Sequence, residues 1–134
     1  MQPEPPLLAG RQLAIAALTG VAGWFTAALA VRAMEGLAMT SGGAATVLLF
    51  ALTLPIAFAS AWLLDRLAGL SGQQRVTGMA VAIAAATLCD GIALTWFAAL
   101  YGSGADHLRV GAALILWGAG CFLLAALYRA SRLS

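Results

Sequence analysis

Among the residues that could do chemistry, Asp90 stands out first. It lies in "TLCDGIALTWFAALYG", residues 87–102, a stretch that is otherwise almost wholly apolar. An ionised carboxylate in hydrocarbon costs about 2.5–3.5 kcal/mol even on lenient insertion scales. The expected state is therefore a neutral carboxyl facing other helices. Its small, mildly polar neighbours Ala86, Ala93 and Thr87 suit such a face. A backbone carbonyl near Pro55, such as that of Ala51, is the expected partner. Pairing with Arg32 or Arg109, each reaching inward along its stem, is one alternative. Exposure to a water-filled crevice is the other.

The remaining reactive types are few. Asp106 and His107 adjoin in a loop, but no further metal ligands lie near them in sequence, so a solvated loop is expected rather than a metal centre. Cys89 and Cys121 both fall in apolar runs without a CxxC spacing and read as free, buried thiols. No nucleophile–base–acid set can be assembled, and no glycine loop of phosphate-binding pattern occurs. The expectation is no enzyme, no catalytic residue, no metal and no cofactor.

The elements that must position Asp90 follow from composition. The chain has 134 residues, 63% hydrophobic and 9% charged, where soluble domains carry roughly 25% charged residues. An integral membrane protein is the class that fits. A net charge of +2 is too small to suggest a nucleic-acid partner. All seven basic residues are Arg; with the excess of Ala and Gly this points to a GC-rich bacterial genome.

Four apolar runs span about 12–31, 43–64, 76–100 and 108–128. Each reaches the roughly 20 residues a helix needs to cross a ~30 Å hydrocarbon core. Helices are expected because backbone groups in lipid must satisfy one another. The short links between runs predict an all-α bundle of four antiparallel transmembrane helices in a single domain, 1–134. The second helix is expected to stop at Asp65-Arg66. The proline-rich start, "MQPEPPLLAG", is expected to be extended or frayed.

Arg11, Arg66, Arg75, Arg129 and Arg132 fall on one side, and Arg32 and Arg109 on the other. Positive-inside then predicts both termini in the cytoplasm and a bacterial inner-membrane location. Trp96, Tyr101, Trp62 and Tyr128 fall at belt positions. A competing reading takes Arg11, the first apolar run and "ALA" at 28–30 as a cleavable secretory signal. The run is long for a signal, and the leading segment has Glu4 and no cluster of positive charge.

Small residues predict packing. Ala16, Gly20, Gly23, Ala27 and Ala30 form a seam on the first helix, and Gly111, Gly118 and Ala125 recur on the fourth. Gly78 and Ala82 do so on the third. Such seams let helix backbones approach closely. Packing within one bundle is the expected use; service to a partner subunit or homodimer is the sharper one. On the second helix Thr46, Thr53 and Ser60 form a sparse hydroxyl line, and Pro55 predicts a kink. "GWFTAAL" and "TWFAAL" are a faint internal echo.

The run "DGIALTWFAALYG", followed by a loop and "LILWGAG", resembles a family of small bacterial four-helix membrane proteins defined as a domain of unknown function. Asp90, Gly91, Ala93, Leu94, Phe97 and Tyr101 carry the resemblance, which covers residues 79–127. Many members have a proline after the aromatic pair, where this chain has Ala98. The resemblance implies the topology and supplies no activity.

Three functions are compatible with these features. A non-catalytic protein would work through helix contacts, as an accessory or assembly subunit or a homo-oligomer. A small proton-coupled transporter would use Asp90. A protein binding membrane lipid or quinone would use the Pro55 kink and Trp96–Phe97.

Overall fold

The computed structural model describes residues 6–37 and 42–133. Residues 1–5 of the expected extended start fall outside the described residues, as does part of the first loop; residues 6–9 are non-helical, with Ala9 extended (φ −66°, ψ 153°). The architecture is all-α. Helix α1 is Gly10–Ala33, α2 Ala44–Ala68, α3 Gln74–Trp96 and α4 Ala105–Arg132, with 3-10 turns at Met34–Leu37 and Ala98–Leu100. All four helices are long and apolar enough to cross a membrane.

Two helix ends depart from expectation. Asp65-Arg66 does not stop α2, which runs on to Ala68. Gly69 then turns into the left-handed region at φ 64°, and the Leu70 amide donates to the Asp65 carbonyl at 3.0 Å. A glycine does this without a Cβ penalty. Helix α3 ends at Trp96 rather than near 100, because Phe97 (φ −131°, ψ 37°) leaves helical geometry. The 3-10 turn that follows changes the chain's direction before Tyr101.

Small residues fill the interior and large ones face outward. The larger buried cluster joins Ala16, Ala57, Ala61, Leu64, Ala82 and Ala125. Leu88, Leu116 and Trp96 are each at least 70% exposed (70%, 74% and 71%). Water would punish that inside-out distribution, whereas lipid solvates the large side chains and leaves close helix packing to small ones. Helix α1 packs most closely on α3, and α2 on α4. The α1–α3 approach depends on Gly20, where an added Cβ would collide with the Ala82 carbonyl oxygen. A Cβ at Gly111 would lie 2.9 Å from Val31 Cγ1.

Candidate functional site

Asp90 is 9% exposed and turned into the bundle. Its partner is not the middle of α2. The Tyr101 hydroxyl donates to Asp90 Oδ1 at 2.5 Å, and Trp24 Nε1 on α1 donates to the Tyr101 hydroxyl oxygen at 2.9 Å. On a continuous helix, Tyr101 would sit about 16 Å along the axis from Asp90. The break at Phe97 brings it back within reach. Tyr101 is therefore no belt residue: at 1% exposure it is among the largest fully buried side chains. Ala28, Val31 and Ala93 enclose it. Burial first, and the bond to Asp90 second, push its phenol above the ordinary value. It stays a protonated donor at neutral pH.

Neither arginine considered as a counter-ion reaches Asp90. Arg32 Nη1 donates to the Ala99 carbonyl at 3.1 Å, and Arg109 Nη2 lies 3.4 Å from Asp106 Oδ1. The cluster consists of a carboxyl group, a phenol and an indole. It can clamp α3, the turn before α4, and α1 together, and it offers no nucleophile.

Asp106 and His107 lie in the first turn of α4 rather than in a loop, and only Asp106 is solvated, its side chain 81% exposed. His107 is 8% exposed, with Nε2 3.0 Å from the Tyr101 carbonyl, so the Nε2–H tautomer donates there. Its Nδ1 is buried with no partner among the described residues. The Ser103 amide donates to Glu35 Oε1 at 2.6 Å, and the Ser103 hydroxyl donates to the same oxygen. This ties the turn after α1 to the turn before α4. Gly102, at φ 121°, lies between them; a Cβ there would be 3.0 Å from the His107 ring and 3.1 Å from Glu35 Oε2.

Asp65 builds a second polar cluster. Asp65, also 9% exposed, accepts from Arg129 Nε on α4 at 2.8 Å. Arg75 Nε on α3 lies 3.2 Å from the same oxygen, an ion pair whose angle does not make a hydrogen bond. Arg75 Nη1 instead donates to the carbonyls of Arg129 at 3.2 Å and Leu133 at 3.0 Å. Three helices thus meet on one carboxylate. In the sequence these arginines carry a topology signal alone. The available clue was that Asp65 continues the small-residue line Ala57, Ala61, Ala68 on α2, all of them buried.

The other expected site residues divide. Ala16, Gly20, Gly111 and Gly118 are buried, whereas Gly23 and Ala27 are exposed, with nothing within 4 Å of a Cβ built at Gly23. The seam on α1 is thus used only in its first half. Beyond Gly20 the buried line moves to Ala28 and Val31. Thr53 returns its hydroxyl to its own helix, donating to the Leu49 carbonyl at 2.8 Å. Pro55 is exposed and α2 continues through it. The helix-to-helix bond near it comes from Trp117 Nε1, which donates to the Phe50 carbonyl at 3.0 Å. Asp90 cannot take that place, because its face of α3 turns toward α1 and Tyr101. Cys89 and Cys121 are free, the first partly and the second fully buried. Among the described residues no group of three or more His, Cys, Asp or Glu could hold a metal ion.

No protein-family model matches the chain, and no curated protein or solved structure matches it either.

Proposed function

We propose that this chain is a non-catalytic, multi-pass protein of the bacterial inner membrane that acts through helix–helix contact. It works as a homo-oligomer or as an accessory subunit of a membrane assembly. Its four helices run antiparallel with both termini cytoplasmic, on the Arg asymmetry. The carrying observation is the divided seam of α1. Ala16 and Gly20 are consumed inside the bundle, while Gly23, Ala27 and Ala30 remain open on the surface. A surface small-xxx-small line suits the close approach of another transmembrane helix. Asp90 fits this reading as a structural group, because its donor belongs to the chain itself.

Native mass spectrometry after gentle extraction tests the proposal. Wild type should carry a second copy or a stoichiometric foreign subunit. Gly23→Leu should release it and leave the melting of the chain unchanged. Gly20→Leu should instead disrupt the fold, since even a Cβ collides with the Ala82 backbone. A monomeric wild type whose mass Gly23→Leu does not alter would sink the proposal.

A further inference from the structure

A groove of about 720 Å³ lies between α1 and the end of α3, walled by Trp24, Ile92, Trp96, Phe97 and Leu100, with Arg32 at its rim. Trp96 and Phe97 are 71% and 64% exposed, so the groove opens outward from the bundle. From Cys89 to Trp96 it runs about 10 Å along the helix axis. That length accepts part of an acyl chain.

The charge at the rim is what selects an occupant. Arg75 and Arg129 share Asp65, and Arg109 pairs with Asp106. Arg66 and Arg132 lie over the rings of Trp62 and Tyr128. Arg32, like Arg11 at the other end of α1, makes no ion pair and lies over no ring among the described residues, and of the two only Arg32 borders the groove. Glu35, the acid nearest to it in sequence, accepts from Ser103 and acts on Arg32 only through space, without an ion-pair contact. One Arg32 donor is held by the Ala99 carbonyl, which fixes the guanidinium and leaves its other N–H groups open. A fixed guanidinium presents a fork of donors that matches a phosphate.

We infer that this groove is a binding site for an anionic phospholipid of the surrounding membrane. Arg32 would receive the phosphate, and the floor beside Trp24 and Ile92 would receive an acyl chain. The site uses a different face of α1 from the Gly23 line, so the two readings stand or fall separately.

The test uses the full-length protein in nanodiscs containing equal phosphatidylglycerol and phosphatidylcholine, with retained lipid read by native mass spectrometry. Wild type should keep one phosphatidylglycerol per chain, in about five-fold preference, the order expected of one basic residue meeting an anionic lipid. Arg32→Gln should abolish the preference without changing the melting curve. Arg32→Lys should keep most of it, and Arg109→Gln should keep it all. Ile92→Trp, which fills the groove, should reduce retention of both lipids. Equal retention of the two lipids by wild type, or an unchanged preference in Arg32→Gln, would overturn the assignment. So would an equal loss in Arg109→Gln.

Discussion

The molecule buries two aspartates to the same extent and solves each differently. Asp65 meets two arginines; Asp90 meets a phenol, which is itself held by an indole. Depth explains the difference. Asp65 lies three residues before the end of α2, or about 4.5 Å along the axis. Asp90 lies six residues before the end of α3, or about 9 Å. Near a helix end, long arginine side chains can enter from the water side and still solvate their remaining donors. Deeper in, a cation would add its own desolvation penalty, and that of a neutral donor is much smaller. A buried acid in a membrane bundle thus takes the partner its depth permits. The two clusters also connect different things. Asp65 gathers α2, α3 and α4, whereas Asp90 pins the turn after α3 back against α1.

The largest expected effect is at Asp65. Asp65→Asn would leave Arg75 and Arg129 without a counter-charge in a site where their side chains are only 14% and 18% exposed. Breaking such a pair costs about 3–5 kcal/mol. Denaturant titration of the protein in mixed micelles should show a loss of that order. A loss below that of the Tyr101 variant would break the comparison, by showing that water solvates this end freely.

Tyr101→Phe comes next. It removes the hydroxyl and strands both the Asp90 carboxyl and the Trp24 N–H, at about 1–3 kcal/mol for the unsatisfied groups. The same titration repeated against pH sharpens the result. The folded phenol titrates above its ordinary value of 10.0, so its contribution is fully present below that pH. Above it the unfolded chain loses the proton first, and stability should fall by about 1.4 kcal/mol per pH unit until the folded phenol titrates too. The Phe variant should lack that slope. A wild type as flat as the variant over about one pH unit above the ordinary phenol value would place Tyr101 in contact with water.

The smallest effect is expected from Asp90→Asn. The amide oxygen still accepts from Tyr101, and no cation loses its partner, so the change should stay below about 1 kcal/mol. A cost equal to that of Asp65→Asn would show that the Asp90 site depends on charge after all. The two aspartates would then belong to one class.

Much of the fold is legible in the residues alone. Hydrocarbon thickness demands about 20 apolar residues per crossing, and four runs meet that length, so helix number, type and approximate place follow from local composition. The structure extends α1, α2 and α4 at their ends and shortens α3, which are local effects of capping and turn geometry. Gly20, Gly111 and Gly118 could be recognised as packing positions because periodicity alone puts them on one face of a helix. Which part of a small-residue face finds a neighbour is another matter. Ala16 and Ala27 are the same residue type on the same stripe and differ only in what lies opposite them. Helix α1 meets the Ala57–Ala61 cluster near Ala16 and nothing comparable near Ala27. The partners of the two aspartates are further still from local information. Asp65 is 64 residues from Arg129, and Trp24 is 77 from Tyr101. Even Tyr101, 11 residues from Asp90, reaches it only because the helix breaks at Phe97. Sequence by itself determined that an ionised, unpartnered acid is costly in this apolar run, which favours a buried partner over water. Only the tertiary arrangement decided which donor, since hydrogen bonds form between atoms within about 3 Å and chain spacing does not set that distance.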